Sequence, residues 1–311
     1  GCARVGAAAL SVLVGSRSIA PTALLEAGPD RVVLEARAVR TVLGVLVGGA
    51  LALAGASMQG LTRNPLADPG ILGINAGAAL AIVLGIVHLG AGGLTDYVVL
   101  GFVGAAVAWA SVHLIAGIGP GGATPAKLTV AGAAFAAAAS SWTVAVQLVD
   151  QVTLDVMRRW QVGSVGGRDW DTVLAVAPIL LVGLILVLTL GRTLNTLALG
   201  DDVARGLGRR VARDRLVVGL AIILLAGTAT AVAGPIAFVG LVVPHLVRGV
   251  TGSDHRLLLP LSAGWGAVLV LLADTAGRVV LPPSEVQVGI MTAVVGVPFF
   301  LLLVRRGRMG L

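Results

Sequence analysis

The chain has 311 residues, 57% of them hydrophobic and only 12% charged, with a net charge of +7. A mean hydropathy of +0.99 excludes an ordinary soluble domain. A single cysteine, Cys2, excludes an internal disulfide and any Cys-based metal cluster, and aromatics at 4% leave the basic charge without the interleaved rings of a nucleic-acid surface.

Apolar runs of about twenty residues recur along the chain, the length a helix needs to cross the hydrocarbon layer. They lack the polar–apolar alternation of a membrane β-barrel, and a lipid-embedded backbone must satisfy its own hydrogen bonds. The sequence therefore predicts an all-α, polytopic membrane protein with a single transmembrane domain over 1–311. Its spans fall roughly at 3–15, 41–59, 70–89, 97–118, 128–149, 171–190, 215–233, 235–250, 257–276 and 286–304, ten in all. Gly1 is not a Met and the first apolar run is short, so further N-terminal sequence is expected, residues 5–14 reading as the end of a first span. Residues 152–162 read as a short helix that does not cross. The span at 235–250 is short and opens on Gly234-Pro235, which predicts a broken helix with protein or water around its end.

Ten crossings put both termini on one side. Loops 60–69, 119–127, 191–215, 248–256 and the tail 305–311 hold thirteen of the 22 Lys and Arg, joined by Arg4, against eight on the other side. The richer side is expected to be cytoplasmic. Gly44 and Gly48, and likewise Gly73 and Gly77, have the spacing that lets membrane helices approach closely. A faint echo relates 54–73 (AGASMQGLTRNPLADPGILG) to 226–245 (AGTATAVAGPIAFVGLVVPH), each a span, a Pro/Gly break and a second span, running in opposite directions. Such an inverted repeat is a habit of transporters.

Catalytic chemistry is missing from this list. His88, His113, His245 and His255 are scattered, and neither a G-x-S-x-G nor a P-loop occurs around Lys127, the one lysine. Asp68, Asp274 and Glu285 fall near predicted span ends, whereas ion-coupled transporters place ionisable groups at the midplane. No cofactor or metal is expected on this chain, and its energy source is expected to be another polypeptide.

The densest charge lies in 191–215, with nine charged residues in 25 positions. Leu199, Val203, Leu207 and Val211 recur every fourth residue as one apolar stripe. Asp201 and Asp202 suit the first turn of a helix, and Gly206 and Gly208 suit its end. The pattern predicts a short helix, a turn, and a second helix entering the next span. Too short to be stable alone, the first helix either lies as a solvated connector on its own bundle or docks in a groove of a cytoplasmic partner.

Four stretches, QGLTRNPLADPGILGINAGAAL (59–80), LALGDDVARGLG (197–208), GPIAFVGLVVPHLVRGVTGSDHRLLLP (234–260) and VGIMTAVVGVPFFLLLVRR (288–306), closely resemble the FecCD-type permeases of iron-siderophore and cobalamin ABC importers. The resemblance covers nearly the whole chain. It implies ten helices per subunit and a second permease subunit, the same chain or a related one. It further implies two P-loop ATPases holding ATP and Mg, a periplasmic or lipid-anchored binding protein, and a place in the bacterial inner membrane. By resemblance, Leu199, Gly200, Asp201, Asp202, Ala204, Arg205, Leu207 and Gly208 form the element coupled to the ATPase. ARAVRT (36–41) matches the family's R-x-P-R-T with Val39 in place of proline, so Arg37 and Arg40, with Arg278 on the ninth span, are expected to dock the binding protein. The alternative for each is a snorkelling anchor at the headgroups. Family architecture makes Ser140, Ser141, Thr143 and Gln147 the candidates for the pathway, the alternative being back-bonding to their own helix. Asn64, Pro65, Asp68 and Pro69 read as a structural corner, and Trp142, Trp160 and Trp170 as an interface belt. The function expected is a ferric-siderophore importer permease; cobalamin or haem transport, a stand-alone secondary transporter, and a membrane scaffold remain as alternatives.

Overall fold

The computed structural model describes residues 2–13, 29–119, 122–282 and 284–305, and among them every regular element is a helix. In chain order these are α1 (Cys2–Leu13), α2 (Pro29–Thr62), α3 (Ile74–Leu89), α4 (Leu94–Gly117), α5 (Pro125–Val149), α6 (Gln151–Gln161), α7 (Trp170–Thr189), α8 (Gly191–Ala198), α9 (Asp201–Gly206), α10 (Val211–Ile222), α11 (Thr228–Ala233), α12 (Val239–Thr251), α13 (His255–Val280) and α14 (Val288–Arg305). One π-turn, Ile223–Gly227, joins α10 to α11, making Val211–Ala233 a single apolar run. Six runs are long and apolar enough to cross a membrane, and Ile74–Leu89, Val239–Thr251 and Val288–Leu302 are shorter apolar helices. With α1 they account for all ten expected spans. Residues 14 and 15 of the first expected span, and Arg306 and Arg308 of the basic tail, lie outside the described residues.

Two boundaries differ from the sequence reading. α2 starts twelve residues before the expected 41, so Arg37 and Arg40 lie inside a helix and not at its outer end. Val39 explains the continuity: it keeps the backbone N–H that proline lacks, and its side chain is buried. The segment 191–215, expected as one short helix and a turn ahead of the next span, also carries α8.

The centre of the bundle is α2, packed on α13. Contact is close because the facing residues are small. A Cβ on Gly48 would lie 2.4 Å from the Gly266 carbonyl oxygen, and one on Gly77 would lie 2.5 Å from that of Gly104 on α4. Gly73, paired with Gly77 in the sequence reading, does other work: at φ 75° it ends the 3-10 turn Pro69–Leu72 and starts α3. By contrast α4, α5 and α7 show most of their surface outward from the chain.

The two Pro/Gly breaks meet each other. After α2 the chain turns through Asn64, whose side chain accepts the Leu66 N–H, and Asp68, whose side chain accepts the Gly70 N–H, giving the corner the sequence suggested. After α11 it breaks at Gly234-Pro235, and α12 begins only at Val239. A Cβ on Gly55 would lie 2.1 Å from the Gly240 oxygen, the same carbonyl to which the Gln59 amide donates at 3.2 Å. The carbonyls freed at the second break find donors in the loop after α6: Arg168 Nε reaches Val232 O at 2.9 Å and Ser164 N reaches Ala233 O at 2.7 Å. The broken helix is thus tolerated because neighbouring protein satisfies its backbone.

Gly55→Ala should therefore lower stability by about 1–3 kcal/mol, since the obstruction is backbone and cannot rotate away. Gly249→Ala on α12 meets open space, and thermal unfolding should leave it unchanged or slightly raised.

Candidate functional site

Polar side chains concentrate at two ends of the bundle. Arg40, near the start of α2, and Arg63, just past its end, mark them. At 1.5 Å per residue they lie about 35 Å apart, a little more than the ~30 Å of a membrane's apolar layer.

At the Arg63 end sits α9. Gly200, at φ 104°, turns the chain out of α8, and Gly208, at φ 79°, turns it out of α9. Two aspartates open the helix and Arg205 closes it, matching the helix dipole. Ala204 is fully buried beneath it, whereas Leu199, Val203 and Leu207 are 62%, 50% and 63% exposed and face away from the bundle. The helix does not lay its apolar stripe on its own chain. Val211, the fourth residue of the expected stripe, is buried instead, because the turn at Gly208 starts α10 in a new direction.

What holds α9 is Asp201. Its carboxylate lies 2.8 Å from Arg215 of α10, 3.6 Å from Arg63 and 3.9 Å from Arg205. Arg215 also donates to the Ala123 carbonyl ahead of α5. Asp202 is fully exposed, and among the described residues its ion pair is with Arg205. Around this, Arg209 binds Asp214 and Thr193. Asn195 of α8 donates to Asp254 at 2.7 Å and accepts from the His255 N–H, tying α8 to α13. The Asn195 amide and the Arg256 N–H hold the Asp254 carboxyl below its ordinary range, while burial raises that of Asp68 in the nearby corner.

At the other end, Arg40 and Arg278 converge on one carboxylate, that of Asp274, and Arg37 lies one turn of α2 from Arg40. Arg40 binds Asp274 through Nε at 2.8 and 3.0 Å and through Nη2 at 2.8 Å, and its Nη1 lies 2.6 Å from Glu285. Arg278 lies 3.4 Å from Asp274 and donates to Ser11 of α1. Arg37 donates to the Val12 carbonyl. The Arg278 and Asp274 side chains are each 2% exposed, because a buried carboxylate needs its counter-charge close. Glu285 is the part of the group that opens to the surface.

The four pathway candidates on α5 divide. Ser140 and Ser141 are exposed, with Ser141 bonded back to Ala137 O. Thr143 turns inward, fully buried and bonded to Ala139 O, so its hydroxyl is not part of an open wall. Gln147 is half-buried, and among the described residues its amide nitrogen has no partner. Trp160 is likewise buried rather than set in a belt, while Trp142 and Trp170 are exposed. Arg63, Arg215, Asp274 and Arg168 were missed as positioning residues. Each was legible only as a loop or span-end charge, since its partner lies on a distant segment.

Residues 4–306 match the FecCD transport family. The ferric enterobactin transport system permease protein FepD of Escherichia coli (strain K12) is 45% identical over 98% of this chain and 93% of its own length. The hemin transport system permease protein HmuU of Yersinia pestis is 42% identical over 88% of this chain and 83% of its own. A solved metal-chelate type ABC transporter in an inward-facing conformation superposes with a TM-score of 0.87 at 29% identity, covering 98% of this chain and 97% of that one. A helical bundle with six clear spans, its motif-bearing break and loop segments in place, and matches over nearly its full length together show that this multi-pass membrane chain belongs to the FecCD transport family.

Proposed function

We propose that the chain is the membrane-spanning subunit of an ATP-binding-cassette importer that carries a ferric siderophore across a bacterial inner membrane by alternating access, with α9 and both termini in the cytoplasm. ATP and Mg belong to two partner ATPases, and this chain holds neither.

One observation carries the reading. α9 presents an exposed apolar stripe while its underside is tied by one carboxylate to α2 and α10. A groove closing on Leu199, Val203 and Leu207 would move a helix braced against two membrane segments, which links closure to the pathway as a coupling free energy. The outward face of α5, with Ser140 and Ser141, suits a pathway shared with a second permease. At the opposite end three guanidiniums face two carboxylates, leaving positive charge that would orient an acidic binding protein. In this role Arg37 and Arg40 act through their field and through exchange of Glu285 for a partner's carboxylate, and Arg278 as the brace behind them.

Proteoliposomes carrying this chain with its ATPase and binding protein should accumulate ferric siderophore only when ATP is supplied. Uptake without the ATPase, driven by an ion gradient, would overturn the reading in favour of a secondary transporter. Similarity to the hemin permease makes haem the second substrate class; competition of hemin and cobalamin against labelled siderophore separates them.

A further inference from the structure

Beneath α9, between the end of α4 and the start of α10, lies a cavity of about 480 Å³. Its polar wall is made by His113 of α4, Arg205 of α9, Arg209 and Arg210 of the turn, and Arg215 of α10, with Gly117 of α4 beside them, and no carboxylate lines it. Carboxylates outside the cavity answer part of this charge: Asp201 for Arg215, Asp214 for Arg209 and Asp202 for Arg205. Arg210 is exposed, and among the described residues no carboxylate lies within reach of it. The only lysine, Lys127, stands at the same end, its Nζ donating to the Ile118 carbonyl. Like charges facing one recess with apolar walls repel, and an anion between them is favoured.

The recess is at the membrane boundary. The span of α4 ends at Gly117 on one wall, and the span Val211–Ala233 begins on the other. His113 and Gly117 form one row along α4. Beside them Leu114 of α4 is 73% exposed, and Ile118, the extended residue just past the helix end, is 74% exposed. A cationic pocket therefore opens beside a bare apolar helix face, a combination that suits a ligand with an anionic head and a hydrocarbon tail. The volume is in the range of small-molecule pockets and leaves room around a bare phosphate.

We propose that this cavity binds the headgroup phosphate of an anionic phospholipid, its acyl chains lying along the exposed apolar surface at the end of α4, at Leu114 and the neighbouring Ile118. The guanidinium fork matches phosphate oxygens, with Arg210 supplying a cation that no carboxylate already answers. A bound lipid joins the α9–α10 turn to the end of α4. The inference rests on the cavity and the neighbouring helix face, and it stands or falls independently of what the chain transports.

The test is lipid retention by the purified full chain. The protein is taken from nanodiscs of phosphatidylcholine containing a minor fraction of phosphatidylglycerol, and bound lipid is counted by native mass spectrometry. The wild type should retain phosphatidylglycerol in preference to phosphatidylcholine. Arg210→Gln should reduce that preference about fivefold, with Arg210→Lys retaining most of it. Gly117→Leu offers an arm that alters no charge: nothing lies within 4 Å of a Cβ there, so the side chain enters open space and should block the headgroup. Equal retention of both lipids by the wild type, or an undiminished preference in both Arg210→Gln and Gly117→Leu, overturns the proposal. Displacement of phosphatidylglycerol by equimolar inorganic phosphate assigns the site to free phosphate and overturns the lipid assignment.

Discussion

Replacing Leu199 and Leu207 together with aspartate should weaken the grip of the partner ATPase about a hundredfold while leaving the permease folded. Both side chains are more than 60% exposed in this chain, so the folded permease loses no packing when they change. Beneath a partner, each leucine would contribute about 1.5–3 kcal/mol by burial, and a combined loss of about 3 kcal/mol is roughly two decades in affinity. Thermal unfolding of the isolated permease should move by no more than about 0.5 kcal/mol, as for surface positions generally. Co-purification of the ATPase and ATP-driven uptake provide the readouts. Unchanged ATPase binding would remove α9 from the coupling role. Asp201→Ala offers a contrast: the apolar stripe is intact, but the helix loses its tie to Arg215 and Arg63. The ATPase should still bind, and uptake per ATP hydrolysed should fall.

Asp274→Ala should be the most damaging single substitution away from the glycine contacts, at about 3–5 kcal/mol. Its carboxylate is the shared counter-charge of Arg40 and Arg278, and removing it leaves the buried Arg278 without a carboxylate and Arg40 with Glu285 alone. Unfolding in detergent should show the loss directly. Adding Arg278→Met to Asp274→Ala should recover part of it, because an apolar chain in that place carries no desolvation cost. Additive losses in the double variant would mean that the two side chains do not share one network.

How far the molecule could be read in one dimension follows from the range of each signal. The ten apolar runs, the short amphipathic α6, the break at Gly234-Pro235 and the α9 turn between Gly200 and Gly208 are local: composition, period and glycine placement over a few residues produce them. The start of α2 and the identity of α8 are not: α2 begins at Pro29, twelve residues ahead of the apolar run, and α8 follows α7 across a single residue, so apolar periodicity marks neither boundary. That Thr143 and Trp160 are buried was not legible for a related reason. A polar or aromatic residue in a membrane helix has no mark of which side it faces until its neighbours are present.

The candidate sites divide along the same line. Leu199, Val203 and Leu207 were visible as a stripe because they recur every fourth residue, although the turn at Gly200 sets Leu199 ahead of α9. The stripe's exposure was not, since burial depends on what the rest of the chain offers. Arg37, Arg40 and Arg278 were visible as charges on the side expected to be poorer in arginine, yet Asp274, which gathers Arg40 and Arg278, lies 234 residues from Arg40.

By itself the sequence determined that this chain is a helical membrane bundle and where its helices break, because the cost of an unsatisfied backbone in lipid acts residue by residue. Only the tertiary structure decided which charges meet: Asp201 with Arg215 and Arg63, Asp274 with Arg40 and Arg278, and the arginines that surround the recess under α9. Electrostatic pairing acts through space and is strongest where protein displaces water. Its partners are chosen by the packing of helices whose spacing along the chain says nothing of their distance apart.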